Sequence, residues 1–232
     1  MSKKNRGSIF VESAEVLAND AFPGDQYVLR VRAPKLAAAA RAGSFAHLQC
    51  DALLPMRRPL SVMRVDAQRG WAEFLVYPLF SPRSLIAEGS ANFGIEVAFP
   101  GEERLRFERQ ELFPLAGLDA ARAAEFYEIQ ELTAKLAYSG NEAARGYLDG
   151  AMSAEEAIEW MTTYSLSSRA RAEQRLRFIE QYRSYVINYN LGQDLVRQYV
   201  EAQGGTTDNP DRRWREFEAL LSSPRLPSGL GK

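Results

Sequence analysis

The order of apolar and polar positions changes character about a third of the way along the chain. Residues 8–16 are β-branched and apolar-rich, and residues 27–32 set Tyr27, Leu29 and Val31 against Arg30 and Arg32. That period of two predicts strands. Pro23, Gly24 and Pro34 punctuate the ends of the second segment. After the turn signal Ala42-Gly43, residues 44–50 alternate Phe45, His47 and Gln49 with Ala46, Leu48 and Cys50. Segments 59–65 and 71–77 follow, separated by the polar stretch 66–70. Five short strands divided by turn signals predict a small antiparallel barrel or sandwich.

Beyond Tyr77 the apolar spacing becomes helical. The pattern predicts helices over 84–99, 102–113, 119–138, 153–164, 168–189, 192–203 and 214–221. Ser153 followed three residues later by Glu156 is a capping box, in which the two side chains satisfy free amide donors at a helix start. Leu176, Ile179, Tyr182, Val186 and Tyr189 recur at three and four residues and make one apolar stripe. Gly204-Gly205 ends a helix, residues 206–211 read as a loop, and the Pro-, Ser- and Gly-rich stretch 222–232 is expected to fray. The fold class expected is α+β: a small, incomplete antiparallel β-barrel over 1–77, then an all-helical domain over 78–232.

Composition adds exclusions. A length of 232 residues with 46% hydrophobic and 25% charged side chains suffices to build one large core or two small ones. The net charge of −1 gives no global pull toward nucleic acid or an anionic membrane. Residues 1–77 hold 11 Lys and Arg against 7 Asp and Glu, leaving 18 against 23, a contrast that suits two pieces of different origin or chance. Cys50 is the single cysteine and His47 the single histidine, which excludes an internal disulfide framework and any multi-cysteine zinc or iron–sulfur site. The apolar run Ile9-Phe10-Val11 meets Glu12 at once, so no signal peptide is expected. No uncharged stretch approaches the roughly 20 residues of a membrane helix. A cytoplasmic, reduced setting is the expectation.

Candidate chemistry begins at Arg57-Arg58-Pro59-Leu60-Ser61-Val62, preceded by Ala42-Gly43-Ser44-Phe45 and followed by Gly70-Trp71 and Leu75-Val76-Tyr77. A guanidinium can hold a diphosphate through two parallel hydrogen bonds, and a strand presents donors at rigid spacing. Two surface arginines before a proline on an ordinary strand are the alternative reading. Across some 70 residues the segment resembles the FAD-binding barrel of ferredoxin-reductase-type proteins, in particular dihydroorotate dehydrogenase electron-transfer subunits of pyrimidine biosynthesis. The resemblance implies that Arg58 pairs with the FAD pyrophosphate, that Ser61 bonds near the flavin ring, and that Pro59 and Leu60 lie between them. Leu75, Val76 and Tyr77 match the family's next flavin-contacting strand. The family's Gly-x-Gly-Thr turn, whose bare amides meet the pyrophosphate at a helix start, is replaced here by Pro78-Leu79-Phe80-Ser81-Pro82-Arg83-Ser84. No sixth barrel strand, glycine-rich nicotinamide domain or iron–sulfur cysteine cluster is visible, so a complete reductase reaction is not expected.

From about Gly70 onward a second resemblance runs through Ser84-Leu85-Ile86-Ala87-Glu88-Gly89-Ser90-Ala91-Asn92-Phe93-Gly94 and Tyr185-Val186-Ile187-Asn188-Tyr189-Asn190-Leu191-Gly192. These segments resemble the C-terminal helical half of bacterial proteins related to His-Glu-x-x-His zinc peptidases. That resemblance makes Glu88 the later-helix glutamate of a metal site whose two histidines this chain lacks. One carboxylate does not make a zinc site, which normally needs three protein ligands, so zinc and peptidase activity are not expected. The two resemblances overlap at residues 69–74, where a junction is expected.

Other clusters have simpler readings. His47 and Cys50 sit three apart on a strand and so face opposite ways. Tyr182, Tyr185, Tyr189 and Tyr199 with Arg183 form either a substrate or transition-state cluster or, at helical spacing, a helix-packing stripe. Glu125, Glu128 and Glu131 read as a solvated helix face. The functional expectation is a FAD-binding electron-transfer module in incomplete form, with a protein redox partner or a second copy of the chain as partner. The alternative is a non-catalytic helical scaffold or interaction protein, or the remnant of a zinc-peptidase-like protein lacking its histidine ligands.

Overall fold

A computed structural model of the chain describes residues 9–54 and 56–230. The class is α+β, with an antiparallel sheet in the first part of the chain and helices after it. The residues divide into two compact units: one runs to Arg83 and includes Glu218–Leu226, and the other comprises Ser84–Phe217 and the chain from Pro227.

In the first unit, β1 (Glu15–Phe22) turns at Gly24 (φ 78°) and Asp25 (φ 55°) into β2 (Gln26–Arg32). Helix α1 (Pro34–Ala39) precedes β3 (Phe45–Leu48), β4 (Arg58–Asp66) and β5 (Trp71–Val76). The spatial order β1-β2-β5-β4-β3 makes β2 to β5 a Greek key, with β1 and β3 at the two edges. The sheet is not closed. β4 changes partner along its length, pairing with β3 over Arg58 to Ser61 and with β5 from Val62 to Asp66. A register break between Val62 and Arg64 sets Val62 opposite Phe74 but Arg64 opposite Glu73. Such a bulge re-aims side chains: Val62 joins Val31, Ala72 and Phe74 in the core, while Arg64 joins Arg30 on the other face around buried Glu73.

The first strand lies later than the apolar run at 8–16 predicts. Residues 9–14 form no regular element, and Glu12 accepts from the backbone N–H groups of Lys35 and Leu36 at 3.2 and 2.8 Å. Its carboxylate thus caps α1, a short helix the periodicity did not announce, and supplies the acceptor that orphan amides at a helix start require. Part of the stretch expected to fray is also ordered: Leu226 packs at Gly24 and Leu230 is buried.

The second unit is helical. Its long elements are α2 (Arg83–Ala98), α5 (Ala123–Ala134), α6 (Ser139–Leu148), α7 (Ala154–Tyr164), α8 (Arg169–Tyr182), α9 (Asn190–Ala202) and α10 (Pro210–Leu221, whose residues from Glu218 belong to the first unit), and short α3 (Glu103–Phe107) and α4 (Phe113–Leu115) flank a π turn. Ala143, Ala157 and Ala172 are fully buried where α6, α7 and α8 meet, around Met161 and Ile179. Small side chains at these positions let the helices approach closely. Within this unit α2 and α9 cross at Gly89 and Gly192, where a Cβ on Gly89 would stand 2.1 Å from the Gly192 carbonyl carbon.

Two helical expectations change. α6 was absent from the periodicity, and the single helix expected over 168–189 ends at Tyr182. Arg183 adopts φ 52°, ψ −128°, and a 3₁₀ turn (Arg183–Asn188) carries the chain into α9.

Candidate functional site

The residues singled out for flavin binding occupy two neighbouring strands. Arg58, Pro59, Leu60 and Ser61 form the first half of β4, Leu75 and Val76 end β5, and Tyr77 follows. Arg58 stands opposite Leu48 and Ser61 opposite Phe45. Because side chains alternate along a strand, Arg58 and Ser61 project to opposite faces of the sheet. Both are exposed, and no described residue engages either side chain. Leu60 and Val76 pack against the sheet core, so their side chains serve the fold. Ser61 shares its face with the Arg30–Glu73–Arg64 network, in which Arg30 also lies 4.8 Å over the Trp71 ring.

The segment after β5 is the test of fit for a dinucleotide. Pro78 and Pro82 have no N–H, and the Ser81 N–H donates to Pro78 O at 3.0 Å. The turn thus has no glycine and two positions without an N–H, unlike a glycine turn whose bare amides cradle a pyrophosphate. Arg83, 3% exposed, donates from Nη1 to Ser223 O at 3.1 Å, and its Nε has no partner among the described residues. Burial holds its pKa below the ordinary guanidinium value. Arg58, exposed on β4, can offer a diphosphate two N–H donors from its side chain.

A second cluster lies in the helical unit. Glu88 on α2 accepts a hydrogen bond from the Tyr185 hydroxyl at 2.6 Å. Tyr185 lies 6.0 Å from Tyr182 and 6.1 Å from Tyr189, and Phe178 lies 4.5 Å from Tyr182. The Arg175 guanidinium stands 5.0 Å over the Phe178 ring. Burial and the Glu88 carboxylate both push the Tyr185 hydroxyl pKa upward, since each disfavours the phenolate. Tyr189 is raised by burial and by Glu88, against the opposing pull of Arg175. Burial lowers Arg175 in turn. Sequence spacing placed Arg183 among these tyrosines, whereas the structure brings Arg175 there and leaves Arg183 exposed at the helix break. Tyr199 is buried on α9. Arg175 precedes Phe178 by three residues and Tyr182 by seven, so helical periodicity carried a signal for it.

His47 meets Phe45 edge-on at 5.4 Å, and Cys50 is an exposed free thiol beyond the end of β3. Among the described residues no three His, Cys, Asp or Glu side chains gather as a metal site. Glu128 and Glu131 are exposed, and Glu125 pairs with Arg122 on the surface. No described helix is long and apolar enough to cross a membrane. No protein-family model matches the chain, and neither the curated proteins nor the solved structures contain a match.

Proposed function

We propose that the β unit is a flavin (FAD)-binding electron-transfer module in incomplete form. The observation that carries this reading is the pair of exposed, unengaged side chains on β4, Arg58 and Ser61, beside β5 in an antiparallel Greek-key sheet. Bound FAD would supply the redox chemistry. Arg58 would hold its diphosphate by charge-assisted hydrogen bonds, and to reach Ser61 on the opposite face the ring system would pass the edge of β4 that β5 leaves unpaired before Val62. Without a glycine turn after β5, binding rests chiefly on side chains and is weaker than that of a cradled dinucleotide. The partner in this reading is a protein redox partner or a second copy of the chain. FAD titration followed by flavin fluorescence tests it: saturable uptake is expected, and Arg58→Ala should weaken it about tenfold or more, the worth of one hydrogen bond to a charged group. A chain that takes up no FAD under any ratio of the two ends the proposal.

A second reading, a non-catalytic interaction protein, is favoured by a separate observation. Phe126, Ile129 and Leu132 follow at three-residue steps on α5 and are 43%, 53% and 61% exposed. A helix normally buries such a stripe. Light scattering after size exclusion separates the two readings, because a monomer at all concentrations counts against the second and leaves FAD uptake untouched.

A further inference from the structure

Two arginines drawn into the helical unit meet carboxylates: Arg197 pairs with Glu96 and Asp194, and Arg213 with Glu96. Arg175 is the exception among the half-buried ones. It is packed over Phe178 and partly desolvated, yet among the described residues no carboxylate reaches it. A guanidinium removed from water without a counter-charge is unfavourable unless something supplies an anion. Nearby, the Tyr189 hydroxyl is half-buried and hydrogen-bonds no described residue, although both Arg175 and Glu88 act on it electrostatically. Glu88 gives one carboxylate oxygen to Tyr185. Its other oxygen is not engaged by a described residue.

Phe178 lies 6.3 Å from Tyr189, and Tyr189 6.1 Å from Tyr185, so a chain of rings runs from the Arg175 cation to the Glu88 carboxylate. Its assembly depends on the backbone at Arg183. The positive φ there ends α8 and folds the 3₁₀ turn back, so that Tyr185 comes against Tyr182. A residue with a side chain pays conformational strain in this region, and such strain concentrates at functional sites.

We propose that this cluster binds a small zwitterion with an apolar body, its carboxylate on Arg175, its ammonium on Glu88 and its apolar part on the rings of Phe178 and Tyr189. A simple anion is disfavoured because Glu88 would repel it, and a simple cation because Arg175 would. A ligand carrying both charges satisfies both ends, and Tyr189 can donate to the carboxylate or accept from the ammonium. The site is independent of the flavin reading, since it shares no residue with β4 or β5.

The test uses the full chain and three related probes followed by NMR chemical-shift titration: phenylalanine, 3-phenylpropionate (no amine) and phenethylamine (no carboxylate). Phenylalanine is expected to bind saturably, and each single-charge probe about tenfold or more weakly, from the loss of one charge-assisted contact. Arg175→Gln should abolish the preference for phenylalanine over phenethylamine, and Glu88→Gln its preference over 3-phenylpropionate. Glutamine retains an acceptor for Tyr185, and far-UV circular dichroism verifies that each variant keeps its helices. Equal binding of all three probes, no saturable shift with phenylalanine, or folded variants with unchanged preferences would each overturn the site.

Discussion

Gly89 and Gly192 allow two helix backbones to touch, and neither residue is marked by the local sequence. A methyl group on Gly89 would meet the Gly192 carbonyl carbon at 2.1 Å and its oxygen at 2.2 Å, atoms that no rotamer change can move aside. Gly89→Ala should therefore cost about 3 kcal/mol or more, at the upper end for overpacking, read as a lower midpoint in urea unfolding. Gly140 on α6 is the control, because a Cβ there meets nothing within 4 Å. Gly140→Ala, in the first turn of α6, should be neutral or stabilising by up to about 0.5 kcal/mol through helix propensity alone. Identical effects of the two substitutions would refute the close crossing. Arg175 illustrates the same limit for chemistry: its periodicity with Phe178 was legible, but its lack of a carboxylate partner was not, because the partners of other arginines lie on distant elements.

Elements whose ends carry local signals were the most legible. The capping box at Ser153 is present as the spacing predicts, with Glu156 N–H donating to the Ser153 hydroxyl and Ser153 N–H to the Glu156 carboxylate. The Ser153 N–H and hydroxyl, both donating to that carboxylate, hold the Glu156 carboxyl below its ordinary pKa. A depressed acid stabilises the fold above its unfolded pKa, and that contribution is lost as pH falls through the folded value. Ser153→Ala should cost about 1 kcal/mol at neutral pH. The gap between wild type and variant should narrow below the ordinary carboxylate range, and a gap that widens in acid would contradict this. Elements closed by distant partners escaped prediction. α1 is capped by Glu12 from a segment that reads as a strand, and the break at Arg183 has no glycine or proline to announce it.

At the scale of the whole molecule, the two units differ in how their backbones are protected. The sheet leaves β1 and β3 as edges, and β3 is only four residues long. Among the described residues, the apolar cluster under the sheet has four buried members, whereas the one at α6, α7 and α8 has nine. Open edges and a small core give low local stability. Hydrogen exchange should therefore show weaker protection in β1 and β3 than in α7 and α8, and equal protection would refute the difference. The division after Arg83, together with the membership of Glu218–Leu226 in the first unit, is a property of long-range contacts that the texture change near Tyr77 only approximates.

The succession of periods along the chain was enough to determine the α+β class, the order of strands before helices and the approximate place of most elements, because side-chain periodicity is a local property of each segment. Tertiary structure alone decided that the sheet stays open, that β4 changes partner at Val62, and that Arg175, not Arg183, joins the tyrosines. Each of these depends on which residues meet across large separations in sequence, and a register shift of one position or a single backbone turn at positive φ reverses where a side chain points.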